Sequence, residues 1–137
     1  MKRLLLAVDR NEDRAVAQAE TVIDLFDAGE AIVHLLHVFG DEPNPRGLGV
    51  HQLSAVRKAV DRFEAAGIEV ELEEESGDPT TAIVELGEKR DVDLICIAGR
   101  KRSPAGKLVF GSVSQEVLLT TERPVLTCPV KSHEDGN

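Results

Sequence analysis

Five short apolar runs punctuate the chain: LLLAV at 4–8, AIVHLLHV at 31–38, IEVEL at 68–72, DLICIAG at 93–99 and PVLTCPV at 124–130. Four are nearly unbroken, the pattern of strands covered on both faces. The third alternates, with Ile68, Val70 and Leu72 set against Glu69, Glu71 and Glu73. Such a strand has one wet face and belongs at or near a sheet edge. The acidic tract ELEEE then reads as a solvated face.

Between the runs the apolar spacing changes to three and four, the period of a helix packed on one side. Val16, Ala19, Val22, Ile23 and Phe26 form the first such stripe, and Gly29 is placed to end it. Leu53, Val56, Ala59, Val60 and Phe63 form the second, closed by Gly67. The third helix opens at Asp78–Pro79, a capping side chain followed by a residue suited to the first helical position, with Ile83 and Leu86 facing inward. The fourth spans about 112–121, with Val113, Val117 and Leu118 on one side, and ends before Pro124. Strand and helix alternate four times before a closing strand. That order predicts an α/β fold: one domain over residues 1–137, an open five-stranded parallel sheet with right-handed crossovers and helices on both faces. The Pro- and Gly-rich segment 39–50 is a loop after the second strand, and the tail at about 132–137 reads as frayed.

Composition sharpens this in three ways. With four Phe and no Trp or Tyr, the core is built from Val, Ile, Leu and Ala. The net charge of −9 disfavours nucleic acid and anionic membrane as partners. Cys96 and Cys128 each sit inside an apolar run, with no CxxC spacing, so they read as buried structural thiols and not as a zinc or disulfide framework. Only five consecutive apolar residues precede Asp9, too few for a signal peptide or a membrane span, so we expect a cytoplasmic protein.

Open parallel sheets bind ligands beyond the carboxyl ends of their strands, where the strand order reverses. The loop after the fourth strand, AGRKRSPAGKLVFGSVSQ at 98–115, has the ingredients for an anion. Gly99 leaves the strand. Arg100, Lys101, Arg102 and Lys107 carry positive charge, and Gly111, Ser112 and Val113 open a helix. A helix start offers unpaired N–H groups and the positive end of a dipole. In the competing reading Ser112 only caps the helix and the basic side chains are solvated. The loop is not a Walker loop, because Lys101 and Leu108 stand at the first Gly and at the hydroxyl position. A Rossmann fingerprint is absent too, since VDRNED after the first strand has no glycine. No catalytic residue and no metal-binding set stand out. His34 and His37, three apart on a strand, lie on opposite faces, and His37 reads as a satisfied core or edge histidine.

A first strand ending in Asp9, the second-strand LLHV, the fourth-strand DLICIAG, and GSVSQEVL followed by RPVLTCPV together resemble the universal stress protein family over about residues 2–131. The resemblance implies the adenine-nucleotide α-hydrolase-like fold with strand order 3-2-1-4-5. It implies ATP or AMP as ligand, with Mg only alongside ATP, and a homodimer joined through the final strand, Pro124–Val130. Many members bind ATP through G-x-x-G, nine residues, then G-[ST]. Gly99 matches the first glycine and Gly111–Ser112 the final pair, while Asp9 and Val38 match positions that contact the adenosine part. The second glycine is replaced by Arg102, and eight residues, not nine, separate it from Gly111. Arg102 prefers negative φ, so close backbone approach to phosphate is lost there, although arginine is itself a phosphate ligand. The expected function is regulatory binding of an adenine nucleotide or similar anion without catalysis. The alternative is a nucleotide-free dimer of the non-ATP-binding branch, with the basic loop as a partner surface.

Overall fold

The computed structural model describes residues 1–99 and 109–130. Five strands and four helices alternate: β1 (Lys2–Ala7), α1 (Glu12–Leu25), β2 (Ala31–Phe39), α2 (Ser54–Ala65), β3 (Glu69–Ser76), α3 (Pro79–Lys89), β4 (Leu94–Ala98), α4 (Ser112–Thr120) and β5 (Val125–Cys128), with a single 3-10 turn at Val50–Gln52. All pairings are parallel and the order is β3-β2-β1-β4-β5. The pleat sends alternate side chains to opposite faces. Leu4, Leu6, Val33, Leu35 and Cys96 pack with Ala15, Val22, Val56 and Phe63 under α1 and α2. Leu5, Leu36, Ile95 and Ile97 pack with Ile83, Leu86 and Val117 under α3 and α4.

The local signals behave as read at α3, where Asp78 accepts a hydrogen bond from the Thr81 N–H at 3.0 Å and Pro79 fills the first position. Two readings need correction. Helix α1 stops at Leu25, because Phe26 turns to φ −130° and packs its ring on the core. Gly29, at φ +84°, serves the turn that follows, where the Glu30 N–H donates to the Asp27 carbonyl. In α4 only Val117 is buried; Val113 and Leu118 are exposed because α4 covers the last strand of the sheet, with no further strand beyond it.

Edge strand β3 is longer than its alternating core and is acidic along most of its length. One of its acids is not simply solvated. Glu73 accepts a fork from Arg90, Nε at 2.9 Å and Nη2 at 3.0 Å, and a hydrogen bond from His34 Nδ1 at 3.0 Å. Burial opposes its ionisation, but the guanidinium and the imidazole N–H outweigh that and hold the carboxyl below its ordinary value of 4.5. His34, Glu71 and Glu73 stand close enough to hold a cation, but Arg90 already occupies both oxygens of Glu73. Cys96 and Cys128 are free and buried; burial lifts the Cys128 thiol to about 11 and Cys96 further, so neither is a reactive thiolate.

The sheet's switch point lies between β1 and β4. From β1 the chain steps outward to β2 and β3, then crosses back to β4 and steps the other way to β5. The β1–β4 register ends at Leu6↔Cys96. Past it the Ala7 carbonyl needs a new donor, and α1 supplies one. Gln18, 1% exposed, donates from Nε2 to the Ala7 carbonyl at 2.8 Å and to the Cys96 carbonyl at 3.2 Å. Leucine is close in size but has no donor. Gln18→Leu is therefore expected to cost about 1–3 kcal/mol in urea unfolding, since the Ala7 carbonyl loses its partner and the Cys96 carbonyl loses one bond; a loss under about 0.5 kcal/mol would mean the Ala7 carbonyl finds another donor. Glu73 gives a second expectation. Its folded value is depressed, so its contribution is present above its ordinary value of 4.5 and is lost as pH falls through the folded value. Glu73→Gln should lower stability at pH 7, and the gap to the parent chain should narrow towards about pH 3; a gap independent of pH would contradict the assignment.

Candidate functional site

A cavity of about 270 Å³ opens at the carboxyl ends of β1, β2 and β4, near the lower bound of about 300 Å³ for small-molecule sites. Its walls include the end of β1 through Asp9, the end of β2 through Val38, Ile97 and Ala98 of β4, the first turn of α4, the inner face of α1 with Arg14 and Gln18, the start of α3, and Glu42 of the loop after β2. The switch point thus produces the opening, and Gln18, which closes the fork, also lines it.

One end of the cavity is a strand edge that has lost its partner. The Val8 N–H donates to the Leu36 carbonyl at 2.9 Å, so even-numbered residues of β2 turn their backbone polar groups towards β1. By Val38 the first chain has already turned away at Asp9. Among the described residues, no backbone bond joins Val38 to β1. Its N–H and C=O are a donor and an acceptor side by side, facing a cavity instead of a strand.

Asp9 is held at the rim by both oxygens. Oδ1 accepts from the Asn11 N–H at 2.8 Å and Oδ2 from Arg14 Nε at 2.9 Å. Asn11 in turn caps α1, accepting from the Arg14 N–H at 2.9 Å. Arg10–Asn11 therefore builds a capped helix start that fixes the carboxylate.

The opposite end is the start of α4. Gly111 is the N-cap residue, extended at φ −73° and ψ 171°, and makes no side-chain cap. This corrects the reading of Ser112 as the cap: Ser112 is the first helical residue, and with Gly111, Val113 and Ser114 it lines the cavity. The first helical bond runs from the Gln115 N–H to the Gly111 carbonyl at 3.1 Å. The N–H groups of Ser112, Val113 and Ser114 precede it and have no intrahelical acceptor. With the helix dipole they make this end attractive to an anion. The Ser114 hydroxyl is 3.5 Å from the Ala98 carbonyl, too long for a firm hydrogen bond.

The structure thus brings Asp9, Val38, Gly111, Ser112 and Val113 to one cavity. Gly99 is buried at the end of β4, its N–H donating to the Cys128 carbonyl at 3.1 Å. Arg100 and Arg102, with Lys101 and Lys107, lie outside the described residues. The sequence reading missed Arg14, Gln18 and Glu42 and took His37 as a core residue. His37 is indeed satisfied and 2% exposed, and it lines the cavity as well. Gln18 could have been found, since a glutamine inside an apolar helical stripe needs an internal partner. Nothing along the chain marks Glu42, which reaches the site only through the path of its loop.

The comparisons agree with this geometry. A 69-residue stretch is 38% identical to a universal stress protein of Mycolicibacterium smegmatis; the stretch is 50% of this chain and 52% of that protein, so the match spans about half the relative's length. A universal stress protein from Archaeoglobus fulgidus in complex with dAMP superposes at TM-score 0.63 with 23% identity, covering 93% of this chain and 98% of that one. An Arabidopsis thaliana universal stress protein family member with AMP bound superposes at TM-score 0.73 with 18% identity, covering 98% and 95%. Among the described residues, no helix is long and apolar enough to cross a membrane. The universal stress protein family model matches residues 1–129, and the chain belongs to that family.

Proposed function

We propose that this chain is a regulatory binding module that takes an adenine nucleotide, AMP or ATP, in the cavity at the switch point and does not turn it over. The observation that carries the reading is the pairing of two complementary ends within one cavity. Val38 offers a donor and an acceptor side by side, which suits the hydrogen-bonding edge of adenine. The first turn of α4 offers N–H groups and a dipole, which suit phosphate. Asp9, fixed by Asn11 and Arg14, stands at the rim, placed to accept from a sugar hydroxyl. AMP and dAMP in two proteins of the same fold support the choice of base. Among the described residues, the carboxylates at the cavity, Asp9 and Glu42, are engaged by Arg14 and His37, which supports binding without turnover.

The module also works as a homodimer in this reading. Among the described residues, strand β5 pairs on one side only, and Val125, Leu126 and Thr127 are part-exposed along that edge. Beside it α4 exposes Leu118 and Leu119. A bare apolar edge favours pairing with a second copy.

Isothermal titration of AMP and ATP into about 0.1 mM protein tests the nucleotide. Saturable heat is expected, weakened at least tenfold by Asp9→Ala (about 1.4 kcal/mol). No heat at that concentration would overturn the reading and leave the nucleotide-free dimer, which the Arg102 substitution favours. Sedimentation equilibrium tests the dimer: a mass twice the 14.9 kDa of the chain is expected, falling to the single-chain value in Thr127→Lys, which puts a charge on the edge strand. A single-chain mass for the parent protein would contradict it.

A further inference from the structure

Two short contacts fix the ring of His37 and leave only one arrangement of its protons. Nδ1 lies 2.8 Å from the Val8 carbonyl oxygen, which can only accept, so Nδ1 carries a hydrogen. Nε2 lies 2.9 Å from Glu42 Oε1. An ionised carboxylate also can only accept, and a neutral imidazole protonated at Nδ1 would set lone pair against lone pair across this gap. The contact therefore holds a second proton, shared between Nε2 and Oε1 as a charge-assisted hydrogen bond.

This proton joins two different parts of the molecule. His37 is buried near the end of β2, its ring edge-on to Phe39 with centroids 4.6 Å apart. Glu42 belongs to the loop between β2 and the 3-10 turn at Val50, and both residues line the cavity. Besides the packing of Leu48 on the core, two hydrogen-bonded ties hold the loop. At its far end Glu74 Oε1 accepts from the Val50 N–H at 2.9 Å. At its near end the tie is Glu42 to His37, with Arg10 Nε further out at 3.6 Å. Only the near tie needs the extra proton.

We propose that the His37–Glu42 contact is a proton-dependent latch on the loop at the Val38 end of the cavity. Loss of the shared proton to solvent turns the contact repulsive, frees Glu42, and removes that wall of the site. Among the described residues, the charged groups around His37 are Glu42 on the loop, Glu74 as its register partner on β3, Asp9 beyond β1, and Arg10 and Arg14 at the start of α1. As a gate for ligand, the latch rests on the nucleotide reading above; as a coupling of proton to loop, it does not.

The test uses the whole chain, with adenosine as probe because its charge does not change in the range where imidazole titrates. Ring ¹⁵N and backbone amide NMR spectra are followed between about pH 6 and about pH 8, and adenosine is titrated at both ends. Nδ1 is expected to stay protonated throughout. Wherever Nε2 loses its proton, the amides of residues 41–49 should move at the same midpoint. Adenosine should bind roughly threefold or more weakly at the high end. In Glu42→Gln the amide can donate to a bare Nε2 or accept from a protonated one, so the ring still titrates while the loop amides and the affinity no longer follow. A bare Nε2 at the low end, or loop amides that stay fixed while the ring titrates, overturns the latch. An unchanged or tighter affinity at the high end, with the loop moving, overturns the gate. Absence of adenosine binding at both ends overturns the nucleotide reading, and the ring and amide signals still decide the latch.

Discussion

Between β1 and β4 the sheet has to come apart, because the chain leaves these neighbouring strands in opposite directions. Their ladder stops at Leu6↔Cys96, and the Ala7 carbonyl lies past its end. Gln18 answers it from α1 and adds a second bond to the Cys96 carbonyl. Most of the site depends on this arrangement. The opening exists because the strands diverge, Asp9 sits at its rim because β1 ends there, and Val38 faces it because β2 runs on past β1. The first turn of α4 closes the far side because β4 runs out beneath it. A ligand site at this place follows from the connectivity of a parallel sheet before any particular side chain is chosen.

Charge separates the two edges of the same sheet. β3 carries acids on both faces, which discourages edge-to-edge pairing. The one acid drawn inward, Glu73, is neutralised by Arg90 and His34. β5 is short, apolar and free of charged side chains. Arg123, just before it, fastens that edge to α3 by donating to Glu88 at 2.9 and 3.1 Å and to Asp91 at 2.7 Å. Among the described residues, one edge is thus blocked by charge and the other is not.

Much of this was legible along the chain, for physical reasons that differ by element. The buried strands showed as unbroken apolar runs, and their alternation with helical stripes gave the parallel sheet. Asp78–Pro79 announced α3 because capping is local chemistry. The strand order, and the expectation of adenosine contacts at Asp9 and Val38, came from family resemblance, not from spacing. Other features needed the fold. Gln18 stands out as a glutamine in an apolar helical stripe, but its acceptors are set only where two strands diverge above it. Glu42 has no signature, because its contact with His37 is made by the path of a loop. The exposure of Val113 and Leu118 was misjudged because an apolar helical stripe does not reveal that the sheet ends beside it.

The central claim is that one cavity holds a base at Val38 and a phosphate at the start of α4. Amide chemical-shift mapping with AMP tests it most directly. The account predicts saturable shifts at Val38, at the Asp9–Asn11 turn and at residues 111–114, with β3 and the Glu73–Arg90 pair unmoved. Shifts centred elsewhere, or shifts at one end of the cavity alone, would contradict it.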